Sequence, residues 1–303
     1  MPVRARAVAL VLALLWFAAQ GSARAELTVV DDSGATVRLA APARRIVSLA
    51  PHLTELLFGA GAGGQVVGAV AFSDYPDAAR TIPRIGDSQQ LDLERLVGLR
   101  PDLIVVWQDG TPGAQRARLA ALGVPVYAST IEDFAGIAST LRRLGRLAGT
   151  DAVAEAHARG FEHALAALHD RYAGRTPLKV FYQIWQRPLM TVNGRHLISQ
   201  ALTLCGARNV FAGLGPLVPT IDAEAVIAAD PDAIVTSRVD PPAPDPVAIW
   251  RPMRALRAAR TGQLITVDPD TLHRATERVI DGVGELCEQL DRVRQSLPAR
   301  SSR

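Results

Sequence analysis

Aromatic side chains are scarce in this chain. Four Trp, four Tyr and seven Phe amount to 5% of 303 residues, so the place of each carries information. Cysteine is scarcer still, with two residues, Cys205 and Cys287, and neither has the companion ligands of a metal site nearby in sequence. There is no H-E-x-x-H, no glycine-rich phosphate loop leading into a helix and no G-x-S-x-G elbow. The usual signatures of zinc peptidases, nucleotide-using enzymes and serine hydrolases are therefore missing. Excess charge is missing too. The formal charge of +3 matches the three arginines of the first 25 residues, which contain no acid, so the remainder is formally neutral. A neutral chain has no nucleic-acid footprint.

What those first 25 residues do have is the layout of a secretory signal. Arg4 and Arg6 form the positive start, Ala7–Ala19 the apolar stretch, and Ala23-Arg24-Ala25 an A-x-A cleavage site. The apolar stretch is shorter than the roughly 20 residues of a membrane-spanning helix, so cleavage after Ala25 and a periplasmic location are expected. No Cys stands at that site, which argues against a lipoprotein. In an oxidising compartment the even pair Cys205 and Cys287 reads as a disulfide, and two buried thiols are the alternative. Closing a loop of this size stabilises a fold by up to ~4.5 kcal/mol on the chain-entropy model.

One segment occurs twice. Residues 91–107 (LDLERLVGLRPDLIVVW) and 221–237 (IDAEAVIAADPDAIVTS) align without gaps. They share Asp92/Asp222, Glu94/Glu224, Pro101/Pro231, Asp102/Asp232, Ile104/Ile234 and Val105/Val235. Each copy predicts a short helix capped by its Asp, a break at Pro-Asp and a buried β-branched strand. Two equivalent α-then-β units imply two similar lobes, and two lobes imply a cleft.

The rest of the chain fits that frame. Residues 27–40 predict a hairpin, and Arg45–Leu49 a strand leading into a helix with Thr54-Glu55 as capping-box residues. Strands and helices then alternate to Ala148, as in a parallel sheet covered by helices. Residues 151–173 predict one long helix capped by Asp151, after which strand–helix alternation resumes and ends in a helix to about Arg294. The expected architecture is α/β. Lobes at 27–149 and 175–296, each with a small parallel sheet flanked by helices, are joined by a linker helix at 150–174.

In open α/β sheets ligands bind beyond the carboxyl ends of the strands. Trp107-Gln108 and Trp185-Gln186-Arg187 end predicted strands, and Phe72 and Tyr75 follow another. Flat rings there suit stacking on a large planar guest, with Gln and Arg fixing its polar rim; core packing is the alternative for any single ring. His157, His163 and His169 recur every six residues on the linker, about 600° of turn, and do not share a face. They read as surface residues. Glu94 and Glu224 are either helix-start carboxylates favoured by the helix dipole or acidic knobs, one per lobe, for a symmetric partner.

The motifs RIVSLAPHLTELLFGAG, SDYP, LDLERLVGLRPDLIVVW, LMTVNGRHLISQALTLCGARNVF and HRATERV resemble those of the periplasmic substrate-binding proteins with a helical backbone, which feed ABC importers. The resemblance runs from Arg45 to Arg294. SDYP, LCGARNVF and the two cysteines narrow it to the cobalamin branch, and the wider family also takes haem and ferric siderophores. It implies that Glu94 and Glu224 dock on the two permease subunits and that Cys205 pairs with Cys287. It also implies that Phe72, Trp107 and the loop Asp270-Thr271-Leu272-His273-Arg274 line the ligand site. Thr271 and Leu272 stand where the cobalamin branch carries an aromatic pair. Another lining Trp is replaced near Ser88–Gln90, and Trp185 is placed to compensate.

The expected function is capture of cobalamin or a related corrinoid, without catalysis or a resident cofactor or metal. The expected ligand set is Pro51, His52, Phe72, Tyr75, Trp107, Gln108, Trp185, Gln186, Arg187 and residues 270–274. The protein is expected to act as a monomer that delivers its guest to an inner-membrane ABC permease dimer. Haem is the rival guest, with His52, His196, His273 or Tyr75 as axial ligand, and a ferric siderophore ranks below it. A secreted hydrolase using Ser48 or Ser88 with His52, and a zinc carrier using His52 and His273, are rivals of other classes.

Overall fold

Strands whose side chains are all buried need cover on both faces, and this chain provides it twice. The computed structural model describes residues 26–87, 90–239 and 244–297. The leader with its cleavage point, Ser88 and residues 241–243 of the Pro-rich loop lie outside them. Strands β1 (Leu27–Val30) and β2 (Thr36–Leu39) form the predicted antiparallel hairpin. Strand β3 (Ile46–Ser48) leads into helix α1 (Pro51–Gly59), followed by β4 (Val66–Ala69), α2 (Leu93–Gly98), β5 (Leu103–Trp107), α3 (Gly113–Ala120) and β6 (Val126–Ser129). The four strands form one parallel sheet in the order β4-β3-β5-β6.

Helices α4 (Phe134–Ala148) and α5 (Asp151–Tyr172) come next. Then follow β7 (Leu178–Gln183), α6 (Leu197–Leu204), β8 (Ala207–Asn209), α7 (Ala223–Ala229), β9 (Ala233–Ser237), α8 (Arg257–Arg260), β10 (Leu264–Val267), α9 (Pro269–Leu272) and α10 (Val279–Ser296). Strands β10-β9-β7-β8 make a second parallel sheet. The chain is therefore α/β with two similar lobes, and α5 lies between them in sequence. No helix among the described residues is long and apolar enough to cross a membrane.

The sequence repeat is a structural repeat. Asp92 and Asp222 cap α2 and α7, accepting from the backbone N–H of Arg95 and Ala225 at 2.9 and 2.7 Å. Arg100 and Asp230 both take a left-handed turn, at φ 47° and 42°, before the shared prolines. Asp102 and Asp232 then latch the start of the neighbouring strand. The first accepts from the N–H of Arg44 and Arg45, the second from that of Lys179. Every residue shared by the copies thus has a local structural task except Glu94 and Glu224. Both are exposed, and among the described residues neither has a hydrogen-bond or ion-pair partner.

Alternation along the central strands divides the core. Leu103 and Val105 join one cluster while Ile104 and Val106 join another, as strand geometry requires. In the second sheet Val180 and Tyr182 join the first of these clusters, and Phe181 packs with Ile234 and Trp250 outside it. The inner faces of both lobes, α4, α5 and α10 thus share one continuous core. A disulfide between Cys205 and Cys287 ties the end of α6 to α10. Two expected caps are absent. Asp151 opens α5 but the cap position is Thr150, whose hydroxyl donates to the Ala60 carbonyl at 2.6 Å. Helix α1 has no side-chain cap, because Ala50 holds the cap position and Thr54 and Glu55 lie buried within the helix.

Candidate functional site

In a parallel sheet all strands end on the same edge, and segments that leave those edges in the two lobes are bonded to each other. Helix α1 leaves β3 at its carboxyl end, and the segment 270–278 leaves β10 at its own. Between them Glu55, with 3% of its side chain exposed, accepts four hydrogen bonds. Arg274 Nη1 and Arg278 Nη2 donate to Oε1, both at 2.8 Å. Arg278 Nε and the Thr276 hydroxyl donate to Oε2 at 3.0 and 3.1 Å. Arg274 also reaches Asp74 and Asp270, each at 3.0 Å. Burial would raise the Asp74 carboxyl, but the Arg274 hydrogen bond and charge outweigh it and leave it lowered. This cluster joins one lobe to the other. Sequence reading missed Glu55, Asp74, Thr276 and Arg278.

Four aromatic rings stand in solvent at these edges: Phe72 at 76% exposure, Trp185 at 62%, Tyr75 at 45% and Trp107 at 42%. Among the described residues no other aromatic side chain is comparably exposed. Phe72 takes a positive φ of 63°, a conformation that costs a non-glycine residue energy and tends to mark functional sites. Trp107 ends β5 with its ring edge-on to His52, centroids 5.5 Å apart. Gly110 folds back against that ring so closely that a Cβ there would lie 1.8 Å from it. Tyr75 has one face covered by Arg278, 3.8 Å from the ring centroid. The Trp185 indole N–H donates to the Arg187 carbonyl at 3.0 Å, which fixes the ring and satisfies its only donor.

The second-lobe edge also carries a hydrogen-bonded trio. Nε2 of His273 lies 2.6 Å from the Tyr182 hydroxyl and 2.9 Å from that of Ser237. Burial holds the Tyr182 phenol above its ordinary range, with the Ser237 hydrogen bond opposing. Burial likewise pushes His273 down, opposed by Asp270. His196 caps α6, its Nδ1 accepting from Ile198 N–H at 3.2 Å. Burial and then the charge of His273 bring it down to about 4. His52 is also brought down to about 4, by burial and then by Arg274.

Unfolded histidine titrates near 6.5, so below that pH the unfolded chain takes up protons that these folded imidazoles refuse. Stability is therefore complete above pH 6.5 and is lost as pH falls from 6.5 toward 4. By pH 5 the loss is expected to reach at most roughly 2 kcal/mol per histidine. Urea unfolding at pH 7 and 5, compared with that of the His52→Asn and His196→Asn variants, measures it. An equal pH slope in the variants refutes the assignment.

The structure disperses part of the expected ligand set. Leu272 is 1% exposed and sits in the shared core, because the one-turn helix α9 directs its last residue inward. Arg274 is no free rim donor, since three carboxylates hold it. Thr271 donates to the Asp268 carbonyl at 3.3 Å. Pro51 and Gln108 are half-buried beside the first-lobe rings, Gln186 is half-buried beside Trp185, and Arg187 and Asp270 are exposed. Ser48, offered as a nucleophile, is fully buried and bonded to Thr54 and the Ala50 carbonyl. Among the described residues no group of three or more His, Cys, Asp or Glu is placed to hold a metal ion.

A family model described as "Periplasmic binding protein" matches residues 46–271. A vitamin B12-binding protein of Vibrio campbellii is 32% identical over 254 residues, spanning 84% of this chain and 92% of that protein. The crystal structure of the periplasmic vitamin B12 binding protein of Vibrio cholerae is similar with a TM-score of 0.76 at 32% identity, over 84% of this chain and 99% of that one. A periplasmic heme binding protein from Pseudomonas aeruginosa is similar with a TM-score of 0.68 at 27% identity, over 81% of this chain and 91% of that one.

Proposed function

The chain belongs to the periplasmic binding protein family, and from that premise we propose that it holds cobalamin or a related corrinoid between its lobes. It is a substrate-binding protein rather than an enzyme, with a small-molecule ligand and a permease as partners. Residues 1–25 direct export and are cleaved after Ala25, and the protein acts as a monomer.

One observation carries the choice of ligand. Exposed aromatic rings cost free energy in water, and here all four exposed rings stand at or just after the carboxyl ends of strands, three in the first lobe and Trp185 in the second. A rigid planar guest larger than any single ring is the kind of ligand such rings suit. The Glu55 cluster and the shared core hold the lobes at a fixed separation, so small adjustments rather than wide closure accompany binding. Glu94 and Glu224 then engage an inner-membrane ABC permease dimer.

Incubation with cyanocobalamin or hemin, desalting and an absorption spectrum test the ligand. A retained corrinoid band at about one per protein is the expected result. A shifted Soret band without retained corrinoid would overturn it in favour of haem, the reading that three uncharged imidazoles at the cleft edge support.

A further inference from the structure

We propose that the cleft selects its guest by edge charge, admitting a macrocycle rimmed with neutral amides and rejecting one rimmed with carboxylates. This rests on the corrinoid reading above and adds a rule for discriminating within it. A corrinoid periphery is made of carboxamides, each offering a carbonyl acceptor and an N–H donor. A haem periphery carries carboxylates, which need cations or several donors once desolvated.

The charge at the cleft floor is the first support. Two guanidiniums, Arg274 and Arg278, meet three carboxylates, Glu55, Asp74 and Asp270, which leaves a formal charge of −1. Neither arginine can turn to a guest without abandoning a nearly buried carboxylate.

The arginines nearby are committed as well. Arg84 donates to the carbonyls of Ser73, Ala79 and Ile82. Arg116 donates to those of Gln108 and Thr111. Arg238 is paired with Asp268 at 2.8 Å. Arg187 alone among these has a side chain with no bonded partner among the described residues, and it is exposed.

What the edges do offer is neutral and two-sided. His196 uses Nδ1 as an acceptor within its own helix start, so its remaining proton is on Nε2. His273 is held at Nε2 by two hydroxyls, which leaves Nδ1 for a guest. Gln108 and Gln186 add amide groups that can both donate and accept. Such a rim matches carboxamides group for group and gives a ring of carboxylates a single exposed guanidinium, that of Arg187, as counter-charge.

The test uses two probes with the same ring and opposite rims, dicyanocobinamide with amides and dicyanocobyrinic acid with carboxylates. Calorimetry at pH 7.5 and low salt should show the amide form binding about 100-fold more tightly, and raising the salt should narrow the ratio by screening the floor charge. His273→Arg, which adds a cation at the rim, should bring the ratio below about 10-fold. Equal affinities in the wild-type protein, or a ratio indifferent to salt, overturn the inference while leaving corrinoid capture intact. Failure to bind cyanocobalamin and dicyanocobinamide alike overturns corrinoid capture and the edge rule with it.

Discussion

Reversing both repeat glutamates, Glu94→Arg with Glu224→Arg, is expected to abolish import while calorimetric affinity for the ligand stays within about twofold. The two residues lie outside every network that holds the fold. Each sits in the first turn of a short helix whose cap is the preceding aspartate, so the helix start does not depend on it. Both α2 and α7 return between parallel strands, which places their N-termini toward the carboxyl edges that carry the exposed rings. A partner touching both glutamates therefore spans the mouth of the cleft and contacts both lobes together. The surroundings repeat as well. Val97 and Ile227, one turn on from the glutamates, are exposed at 52% and 39%. A two-fold symmetric partner with a basic group on each half fits such a surface. Close interfacial charge pairs are worth roughly 1.5–7 kcal/mol, so reversing one should cripple transport and reversing two should end it. Uptake in reconstituted vesicles at the wild-type rate with the double variant would dispose of the docking role. Lost ligand affinity would show that the substitutions disturb the lobes instead.

Much of the fold was legible because its signals are local. The Asp caps, the Pro-Asp breaks and the β-branched runs of the repeat each act within a few residues, and each appears where expected. Strand β8 (Ala207–Asn209) was missed because three residues, two of them polar, are too short a run for their buried–exposed–buried alternation to be read. Strand β10 and helices α8 and α9 are of similar brevity. The exposed rings could be placed at strand ends from sequence, whereas the inward turn of Leu272 could not, since one turn of helix sets it.

Glu55 was the costliest misreading. Taken locally, Thr54-Glu55 near a helix start suggests capping. The actual partners are 219 to 223 residues away, and no local rule reaches them. A signal did exist. Glu55 is the lone acid in a helix whose neighbours Leu53, Leu56 and Leu57 are all apolar and buried, and an acid there needs a paired cation. Arg274 and Arg278, spaced i,i+4 in HRATERV, are the matching pair.

Glu55→Ala is accordingly expected to destabilise the protein by about 3–5 kcal/mol, the usual consequence of deleting one partner of a buried ion pair. The loss has a defined origin. Arg278 would keep its position over Tyr75 and Arg274 its contacts to Asp74 and Asp270, but four donors would lose their shared acceptor. Both guanidiniums are mostly buried, with 17% and 20% of their side chains exposed, so water can replace little of what is removed. The neighbouring packing leaves little room to relax. Gly59, one turn further along α1, approaches Glu277 so closely that a Cβ would lie 2.1 Å from its carboxylate. His157 on α5 holds the same Glu277 at 2.9 Å. Urea unfolding measures the stability change. Small-angle scattering of the ligand-free variant should show a larger radius of gyration, because the pair joins one lobe to the other. Glu55→Met combined with Arg278→Leu removes charge from both sides and should recover at least half of the lost stability. A Glu55→Ala variant within about 1 kcal/mol of wild type, with unchanged scattering, would mean that the shared core alone holds the lobes together.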